Sequence, residues 1–432
     1  MFEVTIRKEK YGFLIFVPSR QSYYRIYDKH ISQSINKMIE NNNKNIFKDN
    51  YYYYYKKFDL DKYNYRYIDN TKFDKNVFVP LEAYFDYTAI CNKKCSYCYN
   101  KNYVGNITMP ERKVRKIFDD LYELGIMRVH LAGGEPTIDY NGLKNYIEYG
   151  RKKGMCISMA TNGTILTDEV CELLTSNDLF SVSISLDSCD EKENDKTRGK
   201  GSFKGTIEGL NNLKEYKAKN KSNLKICLKP VYTPNITEGE IRKNIEFAEK
   251  NNIDILKFAN PERCENHDKG FYGKQREEYY KCLQMIQNII EEKDRNLKIT
   301  NASNPFLYDF IIGIEENKGC IGGQELLTIN PDGRITPCLM NHTLLGNIYD
   351  YDSISSYLKE SENLRKYVKK ISNYQCKSCE LHSSCRGGCQ VRKKVEYGDI
   401  KDVDPLCPNN KAKSKVRKKE YGVRKINVYH SL

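Results

Sequence analysis

The stretch Cys91-Asn92-Lys93-Lys94-Cys95-Ser96-Tyr97-Cys98 decides how this chain is read. Its three cysteines follow directly on an apolar, strand-like run over 81–87. A short loop can place three thiolates on three corners of an iron–sulfur cube, and three ligands leave one iron open to another molecule. With 16 cysteines in 432 residues, chance supplies about 0.02 such matches per chain. The competing reading is a zinc knuckle, which needs a fourth Cys or His nearby. No other Cys or His occurs between residues 80 and 129.

Outward from this loop the chain alternates between two periods. Strand-like runs over 81–87, 128–132, 156–161, 181–187, 224–232 and 254–260 are followed by amphipathic segments over 110–124, 141–153, 168–176, 202–217, 239–251 and 275–293. Six such units predict an α/β fold, a parallel sheet that right-handed crossovers curl into a partial (β/α)6, TIM-like barrel. Its functional residues belong at the C-terminal strand ends. Gly133-Gly134-Glu135-Pro136 follows the second strand and Thr161-Asn162-Gly163 ends the third. Ser183-Ile184-Ser185-Leu186-Asp187 ends the fourth, Arg198 stands in Asp195-Lys196-Thr197-Arg198-Gly199, and Phe258 and Asn260 close the sixth. Glycines let backbone approach a ligand, and Glu135 or nearby carbonyls can accept from an ammonium.

A second constellation lies toward the C-terminus. Cys376-x2-Cys379-x5-Cys385-x3-Cys389 is preceded by Cys320 and Cys338 and followed by Cys407. Chance supplies about 0.001 matches to the four-cysteine spacing. Cys320 and Cys338 bracket a hairpin with its turn at Pro331-Asp332-Gly333. The region is loop-rich, as suits a small domain whose core is replaced by metal clusters. Clustered cysteines in a chain read as cytoplasmic indicate metal rather than disulfides. Of the others, Cys156 and Cys227 fall within strands and read as small core residues. Cys264 follows the last barrel strand and reads either as a ligand or proton donor at the barrel mouth, or as an inert loop thiol.

The first triplet, with an aromatic before its last cysteine, resembles the signature of the radical S-adenosylmethionine (SAM) superfamily. That resemblance implies a [4Fe–4S] cluster on Cys91, Cys95 and Cys98 whose open iron chelates SAM. It also implies an external electron donor of the flavodoxin or ferredoxin type. By the same resemblance SAM is contacted by Tyr97, Gly133, Gly134, Glu135, Pro136, Asn162, Ser183, Ser185, Asp187, Arg198 and Phe258. The second constellation resembles the SPASM domain of radical SAM enzymes that modify peptides and proteins. It implies one or two auxiliary clusters, the first on Cys320, Cys338 and Cys389 and the second on Cys376, Cys379, Cys385 and Cys407. With three ligands against four, the first has an open iron, a non-cysteine ligand or only two irons; an open iron would suit a substrate thiolate, and the other role is electron conduction alone. Sulfatase maturases of this family carry an acting base where Leu339 stands here, which argues against that substrate. The expected reaction is hydrogen abstraction from a residue of a ribosomally made peptide, leading to a crosslink or another modification. Alternatives are a maturase of folded proteins, a small-molecule oxidase, or a non-catalytic iron–sulfur electron-transfer or sensing protein.

Residues 1–78 differ in composition, being rich in Tyr and Asn. They predict strands over 2–7, 13–17 and 23–27 and a helix over 30–40, with no assigned structure over 41–55. The segment reads either as a leader-peptide module that binds by strand addition or as a hairpin capping the barrel. The expected divisions are 1–78, the barrel at 79–300, the cluster domain at 301–410 and a basic tail at 411–432. No apolar run reaches bilayer length, and Lys and Glu stand where a signal peptide needs an apolar stretch, which predicts a cytoplasmic protein. Much of the +14 net charge sits in the tail, which reads as a solvated terminus rather than a nucleic-acid patch.

Overall fold

The computed structural model describes residues 3–74, 76–102, 107–231, 236–259, 276–292, 296–301, 320–372, 375–379 and 386–407. The first of these build a sheet of their own. Strands β1 (Val4–Glu9), β2 (Gly12–Val17) and β3 (Ser22–Ile26) form an antiparallel meander. Helix α1 (Lys29–Glu40), capped by Asp28, which accepts from the His30 and Ile31 N–H groups, packs on it with α2 (Lys44–Asn50) and α3 (Tyr52–Lys57). Strand β4 (Tyr65–Asp69) then returns parallel to β1, giving the order β3-β2-β1-β4. The tyrosine run thus folds as helix. Tyr55 joins Phe47 and Phe58 in the apolar cluster between helices and sheet, while Tyr52 and Tyr53 stay exposed.

The barrel strands are β5 (Glu82–Thr88), β6 (Arg128–Gly133), β7 (Cys156–Thr161), β8 (Ser181–Ile184), β9 (Lys225–Leu228), β10 (Ile255–Phe258) and β11 (Lys298–Asn301), all parallel. The helices between them are α4 (Glu111–Glu123), α5 (Tyr140–Lys152), α6 (Asp168–Ser176), α7 (Glu191–Arg198), α8 (Ser202–Lys219), α9 (Glu238–Lys250) and α10 (Arg276–Glu291). The six-unit expectation holds with two additions, the seventh strand β11 and the short helix α7. Strand parity separates the outer core from the lumen. Phe85 and Tyr87 meet Phe118 of α4 and Tyr146 of α5 with ring centroids 6.2 and 5.0 Å apart. Tyr84, of opposite parity, instead packs tilted against His130 of β6, with ring centroids 4.6 Å apart.

On the other side of β5 the C-terminal region is stitched into the same sheet. Strand β12 (Leu326–Ile329) pairs parallel to β5 and continues through the predicted turn into β13 (Arg334–Thr336) and β14 (Gly346–Asn347), making ten strands in one sheet. The predicted helix over 353–371 is broken at buried Ser361 into α11 (Ile354–Glu360) and α12 (Glu362–Ser372), because the Ser361 hydroxyl donates to Leu345 O. Helix α13 (Gln390–Tyr397) carries the last cysteine segment.

The N-terminal sheet is fastened to the barrel by buried polar side chains. Arg7 pairs with Glu9 and donates to the carbonyls of Val79, Pro80 and Gly125. The Tyr23 hydroxyl donates to Gly125 O and accepts from the Met127 N–H. Arg7→Ala leaves Glu9 with a buried, unpaired charge and is expected to cost about 3–5 kcal/mol. Tyr23→Phe, which loses two hydrogen bonds, should cost about 1–3 kcal/mol. Denaturant titration followed by far-UV circular dichroism measures both.

Candidate iron–sulfur and SAM site

Three strand ends hold the cysteine loop. At the end of β6 the Gly134 N–H donates to Thr88 O and the Glu135 N–H to Ile90 O, each at 2.8 Å. A Cβ on Gly134 would lie 2.0 Å from the Ile90 oxygen, and one on Gly133, at φ +125°, 2.4 Å from the Thr88 oxygen. The two glycines are therefore demanded by the close approach of the cysteine loop itself. At the end of β7, Asn162 Nδ2 donates to Asn92 Oδ1 at 2.8 Å. At the end of β8 the Tyr97 hydroxyl donates to Asp187 Oδ2 at 2.6 Å, and the Ser96 N–H donates to Thr197 O at 2.9 Å.

Asp187 is the hub of this clamp. Besides Tyr97 it accepts from the Thr197 hydroxyl at 2.8 Å, from Arg198 Nη2 at 2.9 Å and from the Val231 N–H at 3.2 Å. Arg198 is buried with it and lies 5.5 Å from the Tyr97 ring centroid. Burial opposes the Arg198 charge, and Asp187 and Tyr97 more than restore it. Arg198 Nε is buried without a hydrogen-bond partner in the structure. An orphaned guanidinium donor beside the cysteine loop fits an anionic group such as the carboxylate of SAM.

Glu135 ties two strand ends together. Its oxygens take the Thr137 N–H and hydroxyl, the Thr161 hydroxyl and the Asn162 N–H, pinning the end of β6 to that of β7. Pro136 O accepts from the buried Tyr87 hydroxyl. The Ser185 N–H donates to Thr161 O, and half-buried Ser183 alternates with the outer-core residues Val182 and Ile184. Phe258 has no exposed surface and belongs to the outer core. Lys257, the neighbour of opposite parity, takes the lumen side that the sequence reading gave to Phe258. Asn260, Cys264 and Cys385 lie outside the described residues.

The three thiols of the loop are near one another. Burial raises the Cys91 thiol against the Lys93 N–H, and Glu135, Cys98 and Cys95 add to the rise. A bound metal centre is what allows such thiols to ionise together. Two neighbourhoods can be described among the C-terminal cysteines. Buried Tyr367 is raised by burial and then by Cys320, Cys338 and Cys389, which places those three around one ring. Burial raises Cys376, Lys393 opposes it, and Cys379 and Asp404 add to it, which places Cys376 beside Cys379. Buried Asp404 joins the two sets. It accepts from Arg392 Nη2 and the Cys389 N–H, each at 2.7 Å, and its carbonyl takes the Cys407 N–H at 2.8 Å. Among the described residues no three Cys, His, Asp or Glu side chains converge on a single ion. A cube takes its thiolates at separate corners instead.

Asn92 and Thr197 stand inside quoted motifs without a role of their own, and Asp404 was not singled out. Nothing in the spacing around Asn92 or Thr197 marks their bonds to Asn162 and Ser96.

Comparison with known proteins follows the same division. Residues 86–248 match the Radical SAM superfamily and residues 320–402 match SPASM, an iron–sulfur cluster-binding domain. The chain is 25% identical over 349 residues to the mycofactocin maturase MftC of Mycobacterium tuberculosis, covering 78% of this chain and 85% of that protein. It is 25% identical over 325 residues to the antilisterial bacteriocin subtilosin biosynthesis protein AlbA of Bacillus subtilis, covering 73% of this chain and 68% of that protein. The crystal structure of Streptococcus suis SuiB bound to S-adenosylmethionine superposes with a TM-score of 0.66 at 19% identity, over 94% of this chain and 99% of that one. SuiB has also been solved bound to its precursor peptide SuiA. Coverage of 94% cannot be reached without the N-terminal sheet, so that module shares in the likeness of fold.

Gly134→Ala should lower iron per chain after anaerobic reconstitution, because the new methyl group collides with the backbone that leads into Cys91. Iron retained at the unsubstituted level would show that the loop tolerates its own displacement.

Proposed function

From the premise that this chain belongs to the radical SAM superfamily and carries a SPASM iron–sulfur domain, we propose that it uses SAM to abstract a hydrogen atom from a residue of a ribosomally synthesised peptide. The abstraction leads to a crosslink or another modification. The observation that carries this reading is the clamped cysteine loop at the C-terminal ends of β5–β8, with Arg198 Nε beside it and unpaired among the described residues. In this assignment Cys91, Cys95 and Cys98 hold the SAM-binding cluster. When bound, that cluster supplies the electron that splits SAM into methionine and a 5′-deoxyadenosyl radical. The remaining steps belong to the chain. Asp187 sets the positions of Tyr97 and Arg198, Arg198 Nε is offered to the SAM carboxylate, and Ser183, Ser185 and Asn162 line the approach to the nucleoside. Cys320, Cys338 and Cys389 would hold one auxiliary cluster, and Cys376, Cys379, Cys385 and Cys407 another. A flavodoxin- or ferredoxin-type donor is the proposed external source of electrons.

Peptide substrates are favoured by the relatives, whose names describe maturases and a bacteriocin biosynthesis protein, and by the SuiA complex of a protein with the same fold. The N-terminal module supports the same reading. Of its two edge strands, β3 is bonded among the described residues to β2 alone and offers an open edge. Beside that edge, Lys57 Nζ lies 5.1 Å from the Tyr24 ring centroid, a surface that suits an acidic leader. Among the described residues no helix is long and apolar enough to cross a membrane.

Anaerobically reconstituted protein given SAM and dithionite should form 5′-deoxyadenosine. The Cys91→Ala/Cys95→Ala/Cys98→Ala variant should form none while keeping the iron of its C-terminal region. Co-expression with short peptides encoded nearby should yield one lighter by two hydrogen atoms. No modified peptide in that screen would remove the peptide reading and leave the SAM chemistry standing. Lys57→Glu should weaken binding of a labelled acidic leader about tenfold, roughly 1.4 kcal/mol, measured by fluorescence anisotropy.

A further inference from the structure

The barrel lumen holds one carboxyl group that the clamp does not use. Asp86 lies on β5 between outward-facing Phe85 and Tyr87, so it shares the lumen face with Tyr84, and it sits five residues before Cys91. It is fully buried, and neither carboxyl oxygen has a hydrogen-bond partner in the structure. Asn100, two residues after Cys98, lies beside it, and its buried amide favours the ionised carboxyl. The other buried aspartates described above behave differently. Asp187 and Asp404 each accept from several donors at once, including a buried arginine. A carboxyl buried with so little to answer it, where an unpaired buried group costs about 1–3 kcal/mol, marks a place that another group completes.

The surroundings of Asp86 define what it can do. From β6, His130 faces the lumen, its Nδ1 is 2.7 Å from the Ser158 hydroxyl of β7, and burial followed by the charges of Lys229 and Lys257 pushes it down to about 3. The imidazole is therefore neutral. Lys229, just beyond β9, and Lys257 of β10 bring positive charge to the same lumen. Thr88 and Asn100 approach Asp86 from the cysteine-loop side. No ion pair joins Asp86 to any described residue, and burial, opposed by Asn100, raises it to about 8. The carboxyl is protonated below about pH 8 and ionised above it, and the ionised form is the one that can take up a proton.

We propose that Asp86, with Asn100 beside it, accepts the proton released when the new bond forms at the reacting peptide residue. The inference rests on the reading of the chain as a peptide-modifying radical SAM enzyme. The balance is as follows. A substrate C–H bond breaks and its hydrogen atom goes to the 5′-deoxyadenosyl radical. The partner group, a thiol or another X–H, forms the C–X bond and its proton goes to the Asp86 carboxylate. The surplus electron needs a one-electron acceptor, which an oxidised auxiliary iron–sulfur centre would supply. The peptide thereby loses two hydrogen atoms, and the proton leaves Asp86 to solvent before the next turnover.

Two measurements test this. In reconstituted protein without peptide, the infrared difference between wild type and Asp86→Asn should contain a protonated-carboxyl band that disappears with a midpoint near pH 8. A band absent or unchanging between about pH 6 and 9 overturns the proposal. With the peptide from the co-expression screen, Asp86→Asn should lower product formed per 5′-deoxyadenosine at least tenfold, and Asp86→Glu should restore part of it. An unaltered ratio in Asp86→Asn overturns the proton-acceptor role alone. Loss of all 5′-deoxyadenosine in Asp86→Asn would make Asp86 a SAM contact and also overturns it. A wild-type enzyme that cleaves SAM and modifies no peptide removes the underlying reading instead.

Discussion

Asp187 makes the site possible by accepting from four donors that come from different places along the chain. A carboxylate buried this deeply is tolerated only when its charge and lone pairs are answered. Here the answer comes from the cysteine loop, from helix α7 and from the backbone after β9. The loop has no regular structure of its own beyond short turns. Its shape is imposed by strand ends that are themselves fixed by the barrel. A flexible ligand loop is thereby converted into a preorganised one, and the barrel's rigidity is handed to three thiols.

The same device recurs in the C-terminal region. Asp404 grips buried Arg392, the Cys389 N–H and the Leu406 N–H. Burial would raise this carboxyl, yet Arg392 and the N–H groups hold it below its ordinary value. Where the apolar core is thin, a charged hub does the positioning that packing does elsewhere. A third carboxylate bridges modules. Glu325 pairs with Arg25 of β3 and with Arg386 in the cysteine segment. The N-terminal sheet and the C-terminal cysteine segment thus share one anion.

Local spacing made much of this legible. The Cys91–Cys98 triplet, the strand-end motifs and the C-terminal cysteine series depend on neighbours within a few residues, and sequence displays those directly. The short helices α2 and α3 were hidden because Phe47, Tyr55 and Phe58, the residues that face inward, stand among tyrosines that do not. Phe258 was assigned to the lumen by its place at a strand end, whereas parity gives that face to Lys257. The roles of Asn92, Thr197 and Glu325 depend on partners 70 to 90 or more residues away or in another module, and no periodicity announces such pairs. Asp86 illustrates the limit most clearly. It reads as one more polar residue in a strand until its burial and its lack of partners are seen together.

The parallel pairing of β12 with β5 has a temporal consequence. During synthesis β5 emerges early, and its outer edge has no partner until residue 326 has been made. At about 5–20 residues per second that interval is on the order of tens of seconds. An unpaired edge is a template for association with other chains. Newly made protein therefore passes through a vulnerable stage that the finished molecule does not share, and slow ribosomal progress through the central third of the message prolongs it.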